Sequence, residues 1–174
     1  RIKEHVALSE QLFRTIHVNE YAEMVDLMQV RKLIEVDAAR LAAENATDED
    51  IRRLEATLQL HHRYVEDNVD PVDPALDFHL AVTQASHNKF MAAVLSLLVF
   101  EEKQIEATIE VLRTREMGSV YVVEHDDIMQ AIREHNPQRA ESLMEAHMQA
   151  ILDEVEKQVE EFDENNEDLP RWIR

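Results

Sequence analysis

Position 118 holds the only glycine in a chain of 174 residues, and four prolines complete its supply of strong turn formers. Tight hairpins draw on glycine for backbone φ above zero, so a multi-stranded antiparallel sheet would have almost nothing to turn with. The chain is therefore expected to be all-α. Apolar residues make up 45% of it, enough at this length for one domain with a sizeable core. No segment repeats at a fixed period, and no linker is long enough to divide the domain.

Helix punctuation is legible along the sequence. Thr47 followed by Asp48, Glu49 and Asp50 reads as a helix start with acids in the first turn. Asp73-Pro74 and Asn136-Pro137 read as N-cap and first-turn proline pairs, and Gly118-Ser119 as the end of one helix and the start of the next. The expected helices cover residues 5 to 17, 20 to 45, 48 to 68, 74 to 87, 88 to 116, 119 to 135 and 137 to 162. Short connections between long amphipathic helices imply an antiparallel bundle.

The formal charge of −19 excludes one class of partner. A surface that negative repels phosphate backbones and anionic lipid headgroups, so the chain by itself should bind neither DNA nor membrane. Much of the acid is a solvated face, and the run around Glu160 to Asp168 reads as a helix end passing into a polar tail over residues 163–174. There is no apolar run of membrane-spanning length and no basic-apolar leader. Without cysteine there are no disulfides, thiolate metal sites or cysteine nucleophile, a composition that suits a cytoplasmic protein. The chain begins at Arg1 rather than Met, so residues 1–20 are expected to connect to a further segment upstream.

Three histidines stand on apolar helical stripes. At about 100° per residue, His79 shares a face with Ala75, Leu76, Val82 and Thr83. His125 shares one with Tyr121, Val122, Ile128, Met129 and Ile132, and His147 with Ala140, Leu143, Met144 and Ile151. A single buried imidazole is usually satisfied by a neighbour. Three in one bundle interior would each need a partner, and a shared metal ion satisfies all three at once. His61 and His62 are adjacent and cannot face the same way; they are read as surface or capping residues, as are His87, His135, His5 and His17.

Four features in order carry a family resemblance: VRKLIEVDAARLAAENAT (Val30–Thr47) with Arg31 and Glu35 four apart, the Phe78-His79 pair, the Ala85-Ser86-x-Asn88 that follows it, and EHDDIMQAIREHNPQRAESLMEAHM (Glu124–Met148) with two histidines 22 apart. From about residue 20 to about residue 160 the chain resembles the FCD domain, the effector-binding half of GntR-superfamily transcription regulators of the FadR subgroup. The resemblance implies an antiparallel bundle of six to seven helices around a central ligand or metal cavity, an effector domain over residues 20–162. It also implies a divalent metal, zinc first and nickel or manganese next, bound by His79, His125 and His147. A small organic acid would be the effector, with Arg31 and Asn88 as contacts. It further implies a homodimer, with DNA bound only through a winged helix-turn-helix domain that precedes the bundle. The family's fourth ligand, an aspartate four residues before the first histidine, is Ala75 here. Asp77 points roughly 160° away from His79 on a helix and cannot replace it.

Two readings from other classes stay open at this point. A tri-histidine metal could activate water in a hydrolase, although the sequence has no HExxH motif and no glycine-rich phosphate loop. The bundle could instead be a metal-free dimerisation module. Arg31 has a plainer role available as a surface partner of Glu35 or Asp26, and Asn88 as the cap of the helix beginning at Lys89.

Overall fold

A computed structural model describes residues 21–104 and 115–165 of the chain. These form six helices: α1 (Tyr21–Asn45), α2 (Asp48–Glu66), α3 (Val72–Ala85), α4 (Lys89–Gln104), α5 (Arg115–Arg133) and α6 (Pro137–Asn165). No strand occurs among the described residues, as the shortage of turn formers requires. The expected helix over residues 5 to 17 and the polar tail from 166 onward lie outside the described residues.

Helix starts follow local chemistry. Thr47 caps α2 in a reciprocal box: its Oγ1 accepts from Asp50 N–H (3.3 Å), and the Asp50 carboxylate accepts from Thr47 N–H (2.9 Å). Asn136 Oδ1 accepts from Arg139 N–H (3.1 Å) ahead of α6, with Pro137 in first position. Two expected boundaries are corrected. α3 starts at Val72 rather than Pro74, so Asp73 lies within its first turn, and Asp70 Oδ1 accepts from Val72 N–H at 3.1 Å. Pro74 is tolerated because the first-turn amides have no intrahelical partner to lose. The helix does not break at Gly118-Ser119 either: α5 runs through both, and no glycine among the described residues has positive φ. A helical glycine costs about 1 kcal/mol relative to alanine, too little to end a helix that packing supports.

Helix ends must manage with almost no glycine. The left-handed residues that terminate α2, α3 and α5 are Asn68 (φ 58°), His87 (φ 58°) and His135 (φ 51°). Each histidine is tied down by its ring. His87 Nε2 meets Asp50 at 2.9 Å, and His135 Nδ1–H donates to the Ala43 carbonyl at 2.9 Å. The capping role expected of both is observed.

α1 is the central helix, packing most extensively on α6 and also touching α3, α4 and α5. Its buried Ala38, Ala39, Ala42 and Ala43 allow that close approach. Residue pairs fix the directions: Lys32 meets Gln149 and Ala43 meets His135, so α1 and α6 are antiparallel. Glu55 meets Arg133 and His61 meets His125, so α2 and α5 are antiparallel as well. One continuous core, with Met28, Phe78, Val82, Ile128, Ile132, Met144 and Met148 fully buried, joins these helices; a small second cluster of Leu76, Leu95 and Val99 seats α4 on α3. No described helix is long and apolar enough to cross a membrane.

Candidate metal and effector site

Five helices deliver charged or imidazole groups to one buried region. α1 brings Arg31 and Glu35, α2 His61, α3 His79, α5 Glu124 and His125, and α6 His147. His79, His125 and His147 are each 3% exposed or less, which requires every ring nitrogen to have a use.

The three Nε2 atoms converge. His125 Nε2 lies 3.0 Å from His147 Nε2, which lies 3.2 Å from His79 Nε2, and the ligand atoms of the three rings all fall within 4.8 Å of one another. The opposite nitrogens point outward to holders. His79 Nδ1 is bonded to Glu35, His147 Nδ1–H donates to Glu124 Oε2 (2.6 Å), and His125 Nδ1 faces His61 Nδ1 (3.3 Å). Imidazole held at one nitrogen by a carboxylate or another acceptor, with the other nitrogen presented to a common centre, is the arrangement of a metal-binding histidine. Ring packing fixes the planes further: His79 stacks on His147 at 5.1 Å between centroids, and Phe78 stacks on His125 at 4.3 Å. These three histidines could hold a metal ion.

The electrostatics favour neutral rings. Burial pushes the His125 pKa well below its ordinary value and also lowers that of His79, where the neighbouring Glu35 works in the opposite direction. A neutral imidazole keeps the lone pair that a metal requires. For Glu35, burial alone would raise the pKa, but Arg31 and His79 outweigh it and hold the carboxyl at about 2. Glu35 is thus an ionised, fully buried group bridging a guanidinium and an imidazole. Arg31 Nε donates to Glu35 Oε1 at 2.8 Å, and Arg31 itself is 1% exposed.

A cavity of about 30 Å³ adjoins the cluster. Arg31, His61, Tyr121 and the three histidines contribute to its walls, along with apolar Leu76 and Ile151. Pro71, Val72 and Ala75 are the half-buried members of the lining and so mark its outer side.

The structure brings together His79, His125, His147 and Arg31. Arg31 pairs with Glu35, but inside the core and at the cavity wall rather than on the surface. Asn88 is employed elsewhere: its Oδ1 accepts from Phe90 and Met91 N–H (3.1 and 3.2 Å) as the N-cap of α4, and it is not part of the cavity lining. The surface reading of His61 is corrected, since that residue is fully buried. His61 continues the buried stripe of Leu54 and Leu58, so the stripe test that selected the other three histidines would have found it. His62 is the half-exposed member of the pair, bonded to Asp126 at 2.8 Å. The two carboxylate holders were not expected as such, although Glu35 was already visible four residues from Arg31.

Comparison with known proteins agrees with this picture. The FCD domain family model matches residues 26–150. The repressor NanR of Klebsiella aerogenes is 30% identical over 127 residues, spanning 71% of this chain and 47% of NanR. Its Escherichia coli counterpart is 27% identical over 123 residues with the same coverage. Both are named as HTH-type transcriptional repressors, and this chain spans about half of their length. Among solved structures, a Streptococcus agalactiae GntR protein aligns with TM-score 0.63 and 26% identity, over 74% of this chain and 57% of that one. The Listeria monocytogenes regulator Lar aligns with TM-score 0.71 over 79% of this chain and 65% of that one, and at 15% identity shows the fold alone.

Proposed function

Since this chain belongs to the FCD domain family, we propose that it is the ligand-sensing part of a bacterial transcription regulator, binding a small organic acid at the tri-histidine cavity and controlling DNA binding by a helix-turn-helix domain outside residues 1–174. The observation that carries this reading is the convergence of three buried Nε2 atoms, each ring held from behind by Glu35, Glu124 or His61. The relatives named as transcriptional repressors favour regulation over the hydrolase alternative.

His79, His125 and His147 would hold a divalent ion, with zinc the first expectation and nickel or manganese the next. Such an ion supplies positive charge and open coordination positions for a carboxylate oxygen. Ala75 stands on the cavity wall where the family resemblance leads one to expect an aspartate, so the chain itself offers three ligands. Arg31, also in the cavity lining, would present a guanidinium to a second ligand oxygen, while Leu76 and Ile151 would exclude water around the carbon skeleton.

A ligand that binds one conformation of the bundle more tightly than another shifts the equilibrium between them by that difference in affinity. α1 carries both Arg31 and Glu35 and lies nearest the chain's N-terminal segment, so it is the natural carrier of the shift. In a homodimer, that movement would reset the spacing of two DNA-binding domains relative to their half-sites.

The test is thermal unfolding of the zinc-loaded chain against acetate, L-lactate, pyruvate, gluconate and citrate, repeated after metal removal with EDTA. At least one acid should raise Tm progressively with concentration, and the effect should disappear with the metal. No shift from any of them, or a shift indifferent to EDTA, would contradict the proposal.

A further inference from the structure

A fourth histidine, His61, is as buried as the three that converge and lines the same cavity. Its Nδ1 faces His125 Nδ1 at 3.3 Å. Its Nε2 is the one buried side-chain polar atom among the described residues that has no hydrogen-bond partner. Buried polar atoms are normally paired, so an unpaired one calls for a partner.

Neighbouring groups dictate which kind of orphan this is. With an ion held between His79, His125 and His147, the His125 Nε2 lone pair is taken up by it and the ring's single proton resides on Nδ1. That N–H donates to His61 Nδ1. His61 Nδ1 is thereby an acceptor, and the proton of its neutral ring is left on Nε2. The unpartnered atom is therefore a donor awaiting an acceptor. His61 is also not a fourth metal ligand in this arrangement, since one nitrogen is protonated and the other is engaged, and the ring stands outside the converging set. Pro71, Val72, Ala75, Leu76 and Ile151 of the cavity lining have no polar side-chain atom to offer it.

We propose that His61 Nε2–H is the specificity-determining donor of the cavity, reserved for a second oxygen on the effector, so that the site prefers acids bearing a hydroxyl, keto or further carboxyl oxygen over plain monocarboxylic acids. The inference rests on the effector-binding reading above and adds the residue that discriminates among acids. His125 links the two roles: the ring that serves the central cluster also sets the tautomer of the ring that reads the ligand.

The test compares the wild-type chain with His61→Leu and His61→Gln, all zinc-loaded, by calorimetric titration with propionate, D- and L-lactate, pyruvate and citrate. Glutamine retains an oxygen to accept from His125 and an amide N–H to donate. His61→Leu should keep its zinc yet lose about tenfold or more in affinity for the oxygenated acid that wild type binds best, with propionate little changed, and His61→Gln should recover most of the loss. Long-range proton–nitrogen NMR of the wild-type chain with zinc alone should place the His61 proton on Nε2. Equal discrimination by His61→Leu and wild type would overturn the proposal and mark the Nε2 partner as water only, leaving effector binding intact. A proton on Nδ1 of His61 would overturn it even if the leucine variant failed to fold. Wild type that holds zinc but binds none of the acids would remove the effector reading, and this inference with it.

Discussion

Glu124 and Glu35 perform the same task in different surroundings. Each carboxylate fixes the Nδ1 side of a histidine and so decides which nitrogen faces the centre, but Glu35 is fully buried and also neutralises Arg31, whereas Glu124 is 36% exposed. Removing Glu35 would strand a buried guanidinium, so its loss would confound metal binding with folding. Glu124 separates the two. Glu124→Gln should leave the fold and the limiting metal stoichiometry unchanged while weakening zinc affinity about 10- to 100-fold, the usual effect of losing an outer partner of a metal histidine. Competition titration against a chromophoric chelator reads this directly; unchanged affinity would mean that the His147 contact does not orient a ligand. Of the residues that make the site, the three ligand candidates were legible because stripe periodicity and family resemblance converged on them. His61 was set aside because its neighbour His62 must face the other way, which bears on His62 and says nothing against His61. Tertiary pairs such as Glu124 with His147, 23 residues apart, leave no mark in local periodicity.

At the scale of elements, the contact between the start of α2 and the end of α3 illustrates how a chain with one glycine closes its helices. Asp50 completes the Thr47 capping box and at the same time receives His87, the left-handed residue after α3. Burial raises the Asp50 pKa, yet bonds from the Thr47 hydroxyl and amide and from His87 outweigh it, leaving the carboxyl below its ordinary 3.8. A carboxyl with a lower pKa folded than unfolded contributes its full stability above the unfolded value and loses it as the pH falls below that value. Asp50→Ala should therefore cost about 1 kcal/mol at neutral pH, and its deficit relative to wild type should shrink as the pH drops below about 3.8. Urea unfolding of both chains from pH 7 to pH 2.5 checks this; a deficit that stayed constant to the acid limit would refute the assignment. The Thr47 and Asn136 starts could be read from sequence because a cap is a matter of three or four consecutive residues. The break expected at Gly118 could not, because whether a glycine ends a helix depends on tertiary support, and α5 packs against α1, α2, α3 and α6.

For the molecule as a whole, one apolar core and one polar cluster occupy the same bundle. One face of α1 serves both, lining the core with Met28, Ala39 and Ala42 and the cluster with Arg31 and Glu35. That dual role explains why the bundle class was evident from composition and helix spacing while the identity of the central helix was not: the buried face of α1 carries two charged residues and its exposed face carries Val30 and Leu33, so hydropathy alone does not mark it. A chain with a charge of −19 has no electrostatic means of holding DNA alone, consistent with a sensing role attached to a separate DNA-binding domain. The account stands or falls on whether the converging histidines hold an ion. The direct measurement is elemental analysis of metal per chain, on protein purified without chelator or nickel resin, beside a His147→Ala control. The account predicts about one divalent ion per chain, lost in the control; a metal-free wild-type chain that also fails to take up added zinc, or a control that retains its ion, would contradict it.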